Sequence, residues 1–348
     1  MELQENVLLA PLTTLGVGGN ARFFVRAGDV PDVEEAVAFA REKELPLFVL
    51  GGGSNVVVSD QGWAGLVLQI GISGIEESQK RGKALFDVGA GTDWDHFVSR
   101  SVSLNCAGVE CLSGIPGSVG GTPVQNVGAY GQEVSETIVS VVAFDVAENR
   151  LREMTASDCG FKYRASIFNT SSRGRYIILR VTYALETGRK PILRYADLQK
   201  YFAGGDRTPT LAETREAVRQ IRASKGMLIS PGDPDCRSAG SFFKNPVLMP
   251  WQHEELVLRA AERNLQVPSY PALEKHRKVS AAWLVEKSGF SKGHGVGRAG
   301  ISSKHALAIV NRGGATAADV VSLKEQILQR VEQAWGIRLE PEPIFVGF

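Results

Sequence analysis

Hydrophobic positions along the chain switch repeatedly between strand and helix periodicity. Residues 22–27, RFFVRA, and the apolar runs at 47–50, 56–58 and 66–70 predict strands. Pro31 predicts a helix start, and Val33, Ala36, Val37 and Ala40 give that helix one apolar face. Residues 85–88 predict another strand, followed by a helix that Thr92 caps and Trp94, Phe97 and Val98 pack. Residues 138–145 and 150–154 alternate around Glu148-Asn149 as a hairpin does, and 176–185 predict a long strand. Thr210 and Glu213 form a capping-box pattern for a helix running to about Ser224. Further helices are expected at 251–264, 279–288 and 317–335, with a strand at 306–311.

Glycine interrupts this pattern in an organised way. Residues 51–55, GGGSN, follow a strand, and so do residues 89–91, GAG. Residues 114–131, GIPGSVGGTPVQNVGAYG, hold six glycines and no charge among eighteen positions. Such a stretch is no helix: glycine costs about 1 kcal/mol per interior position, and Pro116 and Pro123 would each break it. A surface loop is one reading. The other is a backbone wall moulded around a large flat or phosphorylated ligand, with N–H groups after strands aimed at phosphate. Residues 15–21, LGVGGNA, fit the dinucleotide pattern GxGxxA, but too few residues precede them for a strand and no helix follows. A turn into a first strand is expected there.

Composition narrows the class. At 348 residues, 43% hydrophobic and 22% charged, the chain reads as a soluble globular protein of two or three domains. A net charge of +1 argues against a nucleic-acid or membrane surface, and no apolar run approaches the roughly 20 residues a bilayer span needs. Residues 1–16 carry no basic segment ahead of an apolar one, so no secretory signal is expected. Cys106, Cys111, Cys159 and Cys236 match neither a zinc site nor a disulfide framework, which points to thiols in a cytoplasmic protein. The five histidines show no metal-ligand spacing, and no GxSxG elbow is present, so metal catalysis and a serine-hydrolase triad are disfavoured. Residues 226–238 look like a linker.

Three residues stand out as candidates for chemistry. Arg164 lies in YRASIF, where a partly enclosed guanidinium would grip a carboxylate of substrate or of the chain itself. Ser241 is a hydroxyl between glycine and two phenylalanines in SAGSFFKNP, read either as reactive or as a helix cap. Glu342 sits between two prolines in LEPEP, either an aimed carboxylate or a solvated terminal one.

Taken together, LGGGSN, GIPGSVGGTPVQNVGAYG, YRASIF, SAGSFFKNP and LEPE, in that order, closely resemble the UDP-N-acetylenolpyruvoylglucosamine reductases, the MurB flavoenzymes. The LRYADL segment resembles the subgroup with a substrate-covering tyrosine loop. The resemblance covers about residues 15–345. It implies an α+β fold: a two-part FAD-binding region of the vanillyl-alcohol-oxidase/PCMH type plus a smaller α/β substrate-binding domain. The divisions it implies are 1–70 and 71–225 for FAD, 226–335 for substrate, and a segment 336–348 returning to the active site. It implies noncovalent FAD, NADPH as reductant, and reduction of UDP-N-acetylglucosamine enolpyruvate in peptidoglycan synthesis by a cytoplasmic monomer, without nucleic acid, membrane or metal.

Carried over residue by residue, the resemblance makes Ser241 the proton donor and pairs Arg164 with Glu342 around the enolic intermediate. Tyr130, Tyr195, Lys225 and Asn245 fall on substrate-binding positions. Gly51, Gly52, Gly53, Ser54 and Asn55 are expected at the FAD pyrophosphate. Gly114, Ile115, Pro116, Gly117, Ser118, Gly120, Gly121, Gln125, Asn126, Gly128 and Ala129 are expected at the flavin. The segment between Lys225 and Ser241 is longer than the family pattern and carries Cys236, and Ala281-Ala282-Trp283 replaces Ala-Gly-Trp. Two alternatives differ in class. A flavin-linked oxidase would often bring a histidine for covalent FAD, and residues 51–60 have none; a non-catalytic nucleotide-binding module would not need Arg164, Ser241 and Glu342 together.

Overall fold

The computed structural model describes all residues from Met1 to Phe348 except Arg81, Asp206 and Val296. The chain divides into two compact units, and the division is not a single cut. One unit is Met1–Leu8, Asn20–Gly53 and Trp63–Ser224; the other is Leu9–Gly19, Ser54–Gly62 and Lys225–Phe348.

Besides a short pairing of Gly128–Ala129 with Gln132–Glu133, two larger sheets lie in the first unit. In one the strand order is Leu3–Leu8, Asn20–Ala27, Trp63–Ile70, Leu47–Leu50; the first pair is antiparallel and the others parallel. The other is antiparallel, ordered Arg150–Thr155, Ile138–Asp145, Tyr176–Thr187, Lys83–Gly89, Ile75–Lys80. The helix Val30–Glu42 buries Val33, Ala36, Val37 and Ala40, the face its periodicity predicts, and Asp29 caps it by accepting from the Asp32 N–H at 2.9 Å. One contiguous core of residues such as Leu66, Leu68, Phe86, Phe97 and Phe144 joins sheets and helices. Mixed helix and strand make the α+β class.

Several expectations shift. A strand does precede residues 15–21: Leu3–Leu8 was hidden because five of its six positions are exposed, so no alternation marks it. No helix follows, and the dinucleotide reading stays excluded. Ile75–Lys80 escaped notice for the same reason, as a polar edge strand. The cap of the helix Trp94–Ser103 is Asp93, whose carboxylate accepts from the His96 N–H at 2.8 Å; Thr92 instead accepts from the Gly74 N–H. The capping box of Thr210 and Glu213 is reciprocal, with both bonds at 3.2 Å or less.

The second unit is built on helices Pro250–Ala261, Ala281–Lys287 and Ala317–Trp335 around a core that includes Leu15, Val17, Phe242, Phe243, Leu284 and Trp335. The long helix begins at a Thr316 capping box and ends at Gly336, whose φ of 68° provides the left-handed C-terminal turn. Strand Ile344–Val346 pairs in parallel with Val56–Val58, tying the chain's end to a segment nearly 290 residues earlier. The strand expected at 306–311 is shorter, Ile309–Asn311, because His305 turns the chain: it accepts through its carbonyl from Ala308 N–H and through Nδ1 from Leu307 N–H. Residues 226–238 are no free linker. They fold into this unit through a 3-10 turn, Pro234–Cys236, and a buried Asp235.

Candidate active site

In the first unit, the glycine turn after Leu47–Leu50 packs directly on residues 114–121. A Cβ on Gly52 would lie 2.6 Å from the Gly117 Cα, and one on Gly51 2.8 Å from the Ser118 Oγ. Only glycine permits that approach. The same stretch is pinned from its other side. Val119 N–H donates to Thr92 O at 2.9 Å, Gly120 N–H to Ala90 O at 2.8 Å, and Trp94 N–H to Gly117 O at 3.0 Å. The glycine-rich segment is therefore a rigid, uncharged wall, and the surface-loop reading falls.

Two observations test whether this wall fits FAD. The Ser118 Oγ is buried and makes no hydrogen bond to any described residue, which leaves a polar atom in want of a partner. Gly121 needs glycine for no reason internal to the chain: its φ is not left-handed and a Cβ there would meet nothing within 4 Å. A neutral backbone surface with an available hydroxyl suits a flat, hydrogen-bonding ring, so the residues fit the cofactor.

Sequence reasoning missed what holds this wall. Gly114 N–H donates to Asp95 Oδ1 at 2.6 Å, and Asp95 is gripped by Arg215 at 2.5 Å and 2.9 Å and by Arg219 at 2.6 Å. Gly114 O accepts from the Nε of buried Arg222 at 3.1 Å, and Arg222 also hydrogen-bonds Tyr130. A signal was available: Arg215, Arg219 and Arg222 recur at helical spacing on Leu211–Ser224, a cationic stripe turned toward the protein. Burial pushes the Asp95 carboxyl up, but the Arg215 guanidinium, the Gly114 N–H and the charge of Arg219 outweigh it and hold it below the usual carboxylate range. A depressed folded-state pKa contributes stability that is present above the ordinary carboxylate range and lost as pH falls through the lowered value. Asp95→Asn is expected to lower apoprotein stability by about 1–3 kcal/mol and weaken flavin retention at neutral pH. Urea denaturation and flavin absorbance check both effects.

Two of the substrate candidates of this unit, Arg164 and Tyr130, sit on strained backbone. Arg164 has φ 53° within a tight turn where Lys162 and Ala165 exchange main-chain hydrogen bonds. Its Nη2 donates to Gly128 O at 2.7 Å, and its guanidinium carbon lies 5.4 Å from the Tyr163 ring centre. Asn169 Nδ2 holds the Arg164 carbonyl and Ser166 Oγ donates to Val124 O, so the turn is braced to the end of the glycine segment. Tyr130, at φ 49°, meets Tyr195 edge to face with ring centres 5.4 Å apart. Arg194 secures that loop by an ion pair with Glu136 at 3.1 Å. Asn126, expected at the flavin, spends its amide internally on Glu133, on Lys162 O and on the Ser135 N–H, and so braces the wall.

The second unit assembles its own set. Gly240, at φ 73°, turns the chain into Ser241; Phe242 N–H then donates to Leu307 O at 2.7 Å. Glu342 N–H donates to Phe242 O at 2.9 Å and Lys244 N–H to Glu340 O at 2.9 Å, so the C-terminal segment runs alongside the SFFK segment. Glu342 thereby comes to rest beside the residue following Ser241. Asn55 joins them: its Nδ2 donates to Glu342 O at 3.3 Å and its carbonyl accepts from Ile344 N–H at 2.9 Å. Ser54 lies one residue before it, its carbonyl 3.5 Å from the Thr14 hydroxyl. Asn245 Oδ1 accepts from Ala281 N–H at 2.9 Å in the first turn of the helix Ala281–Lys287, whose N-cap is Ser280. Lys225 opens the unit at the foot of the 226–238 segment. Among the described residues no cluster could hold a metal ion, no helix is long and apolar enough to cross a membrane, and all four cysteines are free thiols.

Comparison with known proteins accounts for both units. Residues 21–154 match the model of an FAD binding domain, which makes FAD the cofactor, and residues 233–346 match the C-terminal domain of UDP-N-acetylenolpyruvoylglucosamine reductase. The reductase of that name from Thermobifida fusca is 46% identical, with 99% of this chain and 98% of that protein covered. The one from Streptomyces coelicolor is 43% identical over 97% of this chain and 89% of that protein. The crystal structure of the MurB reductase of Thermus caldophilus superposes with a TM-score of 0.67 at 26% identity, covering 99% of both chains. Agreement of this extent, over both units, establishes that the chain belongs to the UDP-N-acetylenolpyruvoylglucosamine reductase (MurB) family of oxidoreductases.

Proposed function

We propose that this enzyme reduces UDP-N-acetylglucosamine enolpyruvate to UDP-N-acetylmuramate in peptidoglycan precursor synthesis, with NADPH as reductant. The observation that carries this reading is the main-chain pairing of residues 340–342 with 242–244, which brings Glu342 beside Phe242, the neighbour of a serine that caps no helix. Bound FAD would take hydride from NADPH and supply it to C3 of the enolpyruvyl group.

The chain's own residues do the rest. Ser241 gives its hydroxyl proton to C2, the carbon left electron-rich by hydride addition at C3. A serine is a weak acid, but a carbanionic carbon is a far stronger base, and position decides whether the proton moves. Arg164, by its positive charge, and Glu342, as a hydrogen-bonding partner, stabilise the enolic intermediate at C2 and the adjoining carboxylate. Because negative charge grows there on the way to the transition state, their fixed groups act on it more than on the neutral alkene. Holding Arg164 in a braced left-handed turn means little reorganisation is needed when charge appears. Lys225 meets the diphosphate, Tyr195 covers it beside Tyr130, and Asn245 meets the sugar or uridine. Gly51, Gly52, Gly53, Ser54 and Asn55 supply N–H groups at the FAD pyrophosphate, and residues 114–129 hold the ring, with Ser118 Oγ as one polar contact. Nucleotide sugar and NADPH both belong to the cytoplasm, where a monomer with free thiols would work.

The test is spectroscopic. Anaerobic NADPH should bleach the yellow flavin of the purified protein, and UDP-N-acetylglucosamine enolpyruvate should restore the colour stoichiometrically. Bleaching without recovery in fully loaded protein would refute the reading.

A further inference from the structure

We infer that the segment between Lys225 and Ser241 is a latch in which Asp233 and Asp235 act as positioning residues for Lys225 at the anionic end of the substrate. This inference rests on the functional reading above. Its starting point is the finding that residues 226–238 are pinned into the second unit rather than loose.

The latch closes on one short stretch, residues 302–304. Asp235 is 5% exposed, and its carboxylate accepts from Ser303 N–H at 3.1 Å and from Ser303 Oγ at 2.5 Å. Asp233 accepts from Asp235 N–H at 3.0 Å with one oxygen and from Lys304 Nζ at 2.7 Å with the other. Both carboxylates are thus consumed by hydrogen bonds and one ion pair.

The mechanical link to Lys225 is Gly226. Its φ of 64° is left-handed, and a Cβ there would lie 2.9 Å from the Asp235 Cβ and 3.4 Å from both Lys304 Cδ and Ser302 Oγ. The residue after Lys225 is therefore clamped on the carbon that bears the buried carboxylate. A lysine reaches through a flexible four-carbon stem, so the backbone from which it starts largely decides where its charge can act. The far end of the segment is fixed separately: Ser238 O accepts from Thr14 Oγ1 at 2.7 Å, Arg237 O from Asn311 N–H at 2.9 Å, and Phe242 N–H binds Leu307 O. Ser241 accordingly keeps its position if the latch opens, while Lys225 does not. This separation gives the inference a signature: loss of ground-state binding with little loss of turnover at saturation.

The experiment uses the holoenzyme with Ser303→Ala, which removes the short bond to Asp235, and Ser303→Thr, which keeps the hydroxyl. For Ser303→Ala the KM for the enolpyruvyl substrate and the Kd for UDP, measured by calorimetry, should each rise about 10-fold, in line with the cost of a misplaced binding group. Its kcat should fall less than about 3-fold, and the rate of flavin reduction by NADPH and the flavin content should match wild type. Ser303→Thr should restore UDP affinity. Unchanged UDP affinity in Ser303→Ala, or equal damage in both variants with flavin loss, would overturn the latch. Wild-type holoenzyme that fails to bind UDP would instead overturn the functional reading, and the inference with it.

Discussion

Ser241→Ala is expected to leave flavin reduction by NADPH nearly untouched and to slow reoxidation by the enolpyruvyl substrate by about 10²–10⁴-fold, the usual worth of a positioned general acid. The structure makes this substitution unusually clean. The backbone of Ser241 is set by Gly240 on one side and by the Phe242–Leu307 hydrogen bond on the other, and neither involves the serine hydroxyl. Alanine therefore removes one oxygen without moving Glu342, which hangs from the Phe242 carbonyl. Stopped-flow absorbance separates the two half-reactions. Equal loss in both would mean that the serine shapes the cofactor environment and gives no proton. Glu342→Gln, which keeps the shape and replaces the carboxyl by an amide, should fall between these limits, with a loss of about 10²–10³-fold confined to reoxidation.

The second large effect concerns the cofactor and comes as a pair. Gly52→Ala should yield protein largely without flavin, because its methyl would press on backbone atoms, the Gly117 Cα at 2.6 Å and the Ser118 nitrogen at 2.9 Å, that cannot rotate away. Overpacking of that kind costs about 1–3 kcal/mol and would part the two glycine segments. Gly121→Ala should behave differently. A Cβ there meets nothing in the chain, so apoprotein stability should match wild type while flavin affinity drops by about 10-fold or more, the methyl standing where the ring would rest. Thermal unfolding of the apoproteins and flavin fluorescence titration distinguish the two. If Gly121→Ala bound flavin as tightly as wild type, residues 114–121 would be packing for the fold alone.

The same comparison shows why the sequence was informative where it was. Helices Val30–Glu42, Leu211–Ser224 and Ala317–Trp335 each carry a local cap and an apolar stripe, and all three lie within a residue or two of the predicted spans. Strands Leu3–Leu8 and Ile75–Lys80 have neither feature. They are edge strands exposed along most of their length, defined by hydrogen bonds to Asn20–Ala27 and, in a tight hairpin, to Lys83–Gly89 rather than by any apolar alternation. Similarly, Asp93 rather than Thr92 caps the helix Trp94–Ser103, because Thr92 is drawn to Gly74, a contact made across 18 residues.

For the candidate site the sequence determined composition and kind. Residues 114–131 had to be uncharged and free of α-helix, as loop or as wall, and the motifs around Arg164, Ser241 and Glu342 marked a flavoenzyme family, since glycine density, proline placement and motif order are local and need no neighbour. Tertiary structure alone decided who holds whom. It closed the Asn126 amide on Glu133, and it put Asp95 and three arginines behind Gly114. It hung Glu342 on Phe242 across 100 residues of chain and made residues 226–238 a latch on Ser303. Most of these are hydrogen bonds or ion pairs between residues distant in sequence. Helical spacing marks the arginine stripe, but only the closed fold, which buries a polar group and obliges it to find a partner, selects the partners.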